Sequence, residues 1–208
     1  MRAVARVFLD TSIRKHSIRS RNLLRPAPGG GLYEFYDEDP AADVSGDLRR
    51  EIDLLSDVAD AARAGKIQLL SHLETMTELL GILLFPSPGE SVFDGIEIEN
   101  IAGPIEYSRV VFGGGSAKEL QVQFFDQLDH PRFLQIRRAC GAYQGEGVPV
   151  RPNQIVDAFH VWSAESAGAT HFLTTDFKLT RVVANYKKAP LKLKVVTPSQ
   201  LLDEIGKA

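Results

Sequence analysis

The chain has a single cysteine, Cys140, in 208 residues. An intramolecular disulfide and a cysteine-cluster metal site are thereby excluded, and the thiol reads as a buried structural residue suited to a reducing compartment. An excess of positive charge is missing too: 24 Lys and Arg against 27 Asp and Glu leave a net charge of -3. No global field draws in nucleic acid, so any such binding must rest on a local patch. Long hydrophobic runs are also absent. The longest, around Leu79 to Phe85, falls far short of the roughly 20 residues that a bilayer crossing needs. The opening MRAVARVFLD lacks the apolar core of a signal peptide. The expectation is a soluble, cytoplasmic protein with no membrane partner.

What is present is enough apolar sequence, 44% of the residues, to bury a full core. The simplest organisation is one domain over 1–208, with insertions at about 26–46 and 86–150. Residues 3–9 read as a first strand and the segment to about Arg25 as a helix. Residues 26–46, with Pro26, Pro28, Gly29-Gly30-Gly31 and Asp37-Glu38-Asp39-Pro40, read as a loop. Leu48, Ile52, Leu55, Val58 and Ala62 recur at helical spacing before a capping Gly65, and Ile67 to Leu70 is a strand. Ser71, with Glu74 three residues on, opens a helix running toward Phe85. Between 86 and 115 the punctuation by Gly and Pro suggests a hairpin, with strands Gly95–Ile98 and Ile105–Phe112. Helices follow at Ser116 to Leu128 and Pro131 to Tyr143. Asn153 is expected to cap a helix to Ala167, ended by Gly168; then come a strand at Thr170–Thr174, a helix at Phe177–Tyr186, a strand at Leu191–Val196 and a last helix to Ile205. Strand and helix alternate at both ends of the chain, which predicts an α/β fold: a three-layer α/β/α sandwich around a central parallel sheet.

Against this frame four acids stand out: Asp10 closing VFLDTS, Glu78 in MTELLG, Asp157 in NQIVDAFH and Asp176 in FLTTD. Asp10 and Asp176 follow buried strands, so a parallel sheet brings both to one rim. Asp157 sits near the start of the helix that feeds the strand before Asp176. Hydrolysing a phosphodiester means activating a water and neutralising charge on the phosphate, and hard oxygen ligands holding Mg²⁺ or Mn²⁺ suit both tasks. Carboxylates about 4 Å apart repel by roughly 4 kcal/mol per pair at an effective dielectric of 20, so such a cluster calls for a compensating cation. Taken singly, each acid is as well explained as a cap or a solvated face.

The motifs DTS, ELLG, the helix-start Asp and TTD, in that order and with 19 residues from Asp157 to Asp176, resemble the PIN-domain nucleases. The resemblance covers about 3–25, 47–85 and 150–200. It implies a PIN-like fold, Mg²⁺- or Mn²⁺-dependent endonuclease activity directed at RNA, and Asp10, Glu78, Asp157 and Asp176 as the metal-binding, catalytic acids. The bacterial role it most readily suggests is the toxin of a toxin–antitoxin pair, with RNA as substrate, an antitoxin protein as partner and a homodimer as assembly. The alternative is a non-catalytic PIN-like scaffold that binds RNA or protein.

Glu74, one turn before Glu78, competes for its place, and the ELLG context favours Glu78. Thr11, Ser12, Thr174 and Thr175 are candidates to hydrogen-bond the acids. His160, three residues after Asp157, reads as a structural histidine that could approach the site, and Phe159 and Trp162 read as core. Arg14, Lys15, Arg19, Arg21 and Arg25, with Lys178, Arg181, Lys187 and Lys188, flank the acids and could grip a phosphate backbone.

Overall fold

A computed structural model describes residues 4–37, 41–82, 90–107, 116–143, 145, 148 and 151–206. The chain runs β1 (Ala5–Leu9), α1 (Thr11–His16), β2 (Arg21–Pro26), β3 (Leu32–Asp37), α2 (Gly46–Asp53), α3 (Leu55–Arg63), β4 (Ile67–His72) and α4 (Leu73–Ile82). It continues with β5 (Ile98–Ile101), α5 (Ser116–Asp126), α6 (Pro131–Ala139), α7 (Pro152–Ser166), β6 (His171–Leu173), α8 (Phe177–Asn185), β7 (Lys194–Val196) and α9 (Pro198–Gly206).

Five strands form one sheet in the order β5-β4-β1-β6-β7, and every pairing is parallel. A parallel sheet must be covered on both faces, so its strands are apolar on both sides. In β1, Phe8 faces one layer while Val7 and Leu9 face the other, and all three are fully buried. Phe8, Leu70 and Phe172 pack with Phe125 of α5, Phe133 and Ile136 of α6, and Phe159 and Trp162 of α7. Val7, Leu9, Leu69, Leu173 and Val196 pack with Ile13 of α1, Leu55 and Val58 of α3, and Leu201 of α9. The α/β/α layering expected from the sequence is therefore present. From β1 the chain adds β4 and β5 on one side and β6 and β7 on the other. The boundary between β1 and β6 is a topological switch point, where open α/β sheets leave a crevice at the carboxyl ends of the strands.

Two capping glycines behave as expected. Gly65 (φ +69°) and Gly168 (φ +72°) take the left-handed conformation past α3 and α7. Each is followed by an amide reaching back into its helix, Lys66 N to Ala61 O at 3.0 Å and Ala169 N to Ala164 O at 2.9 Å.

Other expectations are corrected. The first helix ends at His16 instead of running to Arg25, and Arg21–Pro26 pairs antiparallel with Leu32–Asp37 in a separate hairpin. The turn between them closes by Ala27 N to Gly31 O at 3.1 Å, with Gly30 and Gly31 at positive φ. The loop expected over 26–46 thus contains a strand, LYEFYD, whose aromatic alternation is strand-like. The helix expected from Asp47 to Ala62 is two helices parted at Leu54 (φ -72°, ψ -8°). β4 runs on to His72, whose Nδ1 accepts the Glu74 amide at 3.2 Å and takes the capping role expected of Ser71. The end of the α4 segment, 83–89, lies outside the described residues. Ile98–Ile101 is a parallel edge strand of the main sheet and not one arm of a hairpin; of Ile105–Phe112, the part from 108 lies outside the described residues, as does Gly113-Gly114-Gly115. α6 stops at Ala139, short of Tyr143, with Cys140 as its cap. α7 begins at Pro152 after an extended Arg151 with no side-chain cap, so Asn153 lies inside the helix and Asp157 falls in its second turn. Proline's missing N–H suits that first position and displaces the cap by two residues.

Phe159 is the aromatic hub of the first layer. Its ring stacks on Phe125 at 4.0 Å between centroids and meets His72, Tyr107, Phe133 and Trp162 edge-on at 5.9–6.2 Å. Phe159→Ala is expected to lower unfolding free energy in urea by about 3–5 kcal/mol. A loss under about 1 kcal/mol would show that the layer does not depend on it.

Candidate metal centre

The site begins with two strand ends that interlock. Asp10 follows β1 directly; its Oδ1 accepts the Thr11 amide at 2.8 Å, and its Oδ2 accepts the hydroxyls of Ser12 at 2.6 Å and Thr174 at 2.7 Å. Asp10 N donates to Leu173 O at 3.1 Å, and Thr175 N to Ser12 Oγ at 3.1 Å. His16 Nδ1 and Thr175 Oγ1 stand 3.0 Å apart. DTS and TTD are thus one hydrogen-bonded unit across the β1–β6 boundary, and Thr11, Ser12, Thr174 and Thr175 all take part.

Asp176 caps α8, with Oδ1 accepting the amides of Lys178 at 2.7 Å and Leu179 at 3.0 Å. Glu78, on α4, accepts the Thr11 hydroxyl. Glu74 faces elsewhere: it is buried and accepts Tyr107 Oη at 2.6 Å and Gln121 Nε2 at 2.7 Å, tying α4 to α5. Of the two competing glutamates, Glu78 is therefore the one beside Asp10. Asp157, half-buried on α7, has no hydrogen bond to any described residue, and the charges of Asp10, Asp176 and Glu78 all act on it. The four acids consequently gather at the carboxyl ends of β1 and β6.

His160 stands among them, one turn after Asp157. Its Nδ1 is 3.9 Å from Asp10 Oδ1 and its Nε2 is 3.8 Å from Glu78 Oε2. The ring is fully buried, and among the described residues neither nitrogen has a hydrogen-bond partner. At these lengths it holds the acids by charge rather than by hydrogen bonds. The sequence signal for this place is the three-residue spacing from Asp157 on the same helix, which lets His160 approach the site without naming its neighbours.

Asp157 and Asp176 open onto a cleft of about 790 Å³, lined also by Arg151, Asn153, Gln123 and Lys178. Lys178 is among the basic residues that the sequence places near the site; Arg151 is not, and its one sequence signal is its position directly before the proline that starts α7. Of the other basic residues, Arg14 lies against Met76 Sδ at 3.7 Å, Arg19, Arg181, Lys187 and Lys188 are exposed or nearly so, and nothing is described of the Arg21 and Arg25 side chains. Phe159 and Trp162 are core, as expected. Cys140 is buried behind Asp157, and burial together with that carboxylate pushes its thiol up, leaving it inert.

Charge is uneven across the cluster. Burial pushes Asp157 up, the charge of Asp10 adds to this, and those of Asp176 and Glu78 follow, with only His160 opposing; the carboxyl lies well above its ordinary range. Burial would raise Asp10 as well, but His160 and the Ser12 and Thr174 hydroxyls outweigh it and hold Asp10 below its ordinary value. Burial would lower His160, and Asp10, Glu78 and Asp157 together raise it instead.

The donor set, carboxylate oxygens with an imidazole among them, suits a divalent cation. As the side chains lie, no three His, Cys, Asp or Glu among the described residues converge on one point to hold a metal. Among the described residues, no helix is long and apolar enough to cross a membrane. Comparison with family models, with curated proteins and with solved structures gave no match to the chain. The fold and site together define a doubly wound α/β protein with a carboxylate cluster at its switch point.

These shifts set a pH dependence. Asp157 contributes stability below the ordinary value of 3.8 and loses it as pH rises through its raised value. His160, raised from 6.5, contributes below that value and loses it as pH climbs through its own raised value. Asp10, lowered from 3.8, contributes above it and loses this as pH falls through its lowered value. Metal-free protein is therefore expected to melt highest in mildly acidic solution and lower toward neutrality. Asp157→Asn is expected to stabilise the metal-free protein at pH 7 by on the order of 1 kcal/mol and to flatten the decline. A lower melting temperature for this variant at pH 7 would remove Asp157 as the strained member.

Proposed function

We propose that the protein is a divalent-metal-dependent endonuclease of the PIN-like class that cuts RNA, with Asp10, Glu78, Asp157 and Asp176 as the acids that would hold Mg²⁺ or Mn²⁺. The observation that carries this reading is Asp157: a carboxylate with no hydrogen bond among the described residues, under the like charge of three others, at the mouth of a cleft. A fold gains nothing in stability from such crowding, and perturbed acids in a cleft mark functional sites. The doubly wound sheet and the interlocked DTS and TTD segments agree with the family resemblance without requiring it. The toxin role, an antitoxin partner and self-association rest on the resemblance alone.

Bound there, such a cation would neutralise phosphate charge and activate a water for in-line attack. The chain's own residues do the rest. Thr174 and Ser12 fix the Asp10 carboxylate, and Thr11 fixes Glu78 against it. Asp157, Asp176 and Glu119 line the cleft, and Arg151 and Lys178 are the basic residues there that would meet a phosphate backbone once a cation offsets the acids.

One observation favours the non-catalytic scaffold instead. His160, between Asp10 and Glu78 and with its pKa raised by them, offsets part of the repulsion without any metal whenever its ring is protonated. Calorimetry with Mn²⁺ separates the two. The nuclease reading expects saturable binding to the wild type and loss of metal-dependent cleavage of single-stranded RNA by Asp10→Asn, by roughly a hundredfold or more, with the fold intact. RNA binding with neither Mn²⁺ uptake nor cleavage would establish the scaffold.

A further inference from the structure

His160 has a feature that the four-carboxylate reading leaves unused. Both ring nitrogens lack a hydrogen-bond partner among the described residues although the side chain is fully buried. Buried polar atoms are nearly always satisfied, so a ring with two orphans, aimed at carboxylates on either side, points to an absent partner. The two sides differ. The Asp10 carboxylate already accepts the Thr11 amide and the Ser12 and Thr174 hydroxyls, whereas Glu78 has the Thr11 hydroxyl as its one hydrogen bond among the described residues. The 3.8 Å gap from Nε2 to Glu78 Oε2 is too long for a hydrogen bond, and a closure of under about 1 Å would bring the two atoms to the roughly 3 Å that separates neighbouring donors on one octahedral ion.

We propose that Nε2 of His160 is a nitrogen ligand of the site, sharing the ion with Glu78, and that the site is therefore selective for Mn²⁺ over Mg²⁺. This rests on the metal reading above and sharpens it. Ligating histidines turn their second nitrogen to a carboxylate, and Asp10 is the carboxylate on the Nδ1 side, at 3.9 Å and not yet hydrogen-bonded to it. Asp157 stands one turn before His160, the i, i+3 spacing by which helices of carboxylate metal sites present an acid and an imidazole to one ion. A nitrogen donor favours Mn²⁺, since Mg²⁺ takes oxygen ligands almost exclusively.

Pulsed electron paramagnetic resonance on the Mn²⁺-loaded protein, with calorimetry using Mn²⁺ and Mg²⁺, tests this directly. The wild type is expected to show electron-spin-echo modulation from one directly bound ¹⁴N and to bind Mn²⁺ at least about tenfold more tightly than Mg²⁺. His160→Gln is expected to lose the ¹⁴N modulation and to weaken Mn²⁺ binding by roughly 10–100-fold, with Mg²⁺ binding little changed. Mn²⁺ bound to the wild type without ¹⁴N modulation would overturn the histidine ligand while leaving an all-carboxylate site. No Mn²⁺ binding at all would overturn both. If His160→Gln does not fold, the wild-type spectrum alone decides.

Discussion

Repulsion among four carboxylates at one sheet rim is the constraint around which the rest of the site is arranged. Such acids cannot all stay charged in a partly buried place without compensation. The protein divides the load. Asp10 is satisfied by an amide and two hydroxyls, and Asp176 by two amides at the start of α8. Glu78 leans on Thr11, and His160 lies between Asp10 and Glu78. Asp157 is left with burial and like charge, and its raised pKa is where the residual strain resides. Stability given up at one position is a common trait of functional sites.

The fold makes this gathering unavoidable once the strand order is set. With β6 paired directly to β1, the residues after Leu9 and Leu173 emerge side by side, and their hydroxyls and amides hydrogen-bond across the boundary. α7 crosses the same layer and delivers Asp157 and His160 on one face, while its other residues, Phe159 and Trp162 among them, anchor it in the aromatic core. Rigid elements thus hold each acid, and the buried Glu74–Tyr107–Gln121 contacts fix the helix that carries Glu78.

Much of this was legible in the sequence because it is written in local, periodic signals. Strands ending in DTS and TTD, the glycines after α3 and α7, and the alternation of strand and helix led to a parallel sheet with acids at its rim. What escaped has physical reasons. The break at Leu54 leaves the apolar spacing of α2 and α3 in step, so periodicity cannot reveal it. The β2–β3 hairpin was masked by the Pro and Gly of its own turn. β5 is four residues long and takes its register from β4. Glu78 and Glu74 share a helical face, and only tertiary contacts separate a site acid from a structural one. His160 showed only as a histidine three residues after Asp157 that could approach the site, since its place between Asp10 and Glu78 depends on other elements.

The central claim is that the acid cluster at the end of β1 and β6 is assembled to hold a cation. Anomalous diffraction from crystals soaked in Mn²⁺ tests it most directly. The expected result is an anomalous peak bounded by Asp10, Glu78, Asp157 and Asp176, with the Asp157 side chain turned toward it. Crystals saturated with Mn²⁺ that show no peak there, and the His160 ring hydrogen-bonded to Asp10 and Glu78 in its place, would contradict it.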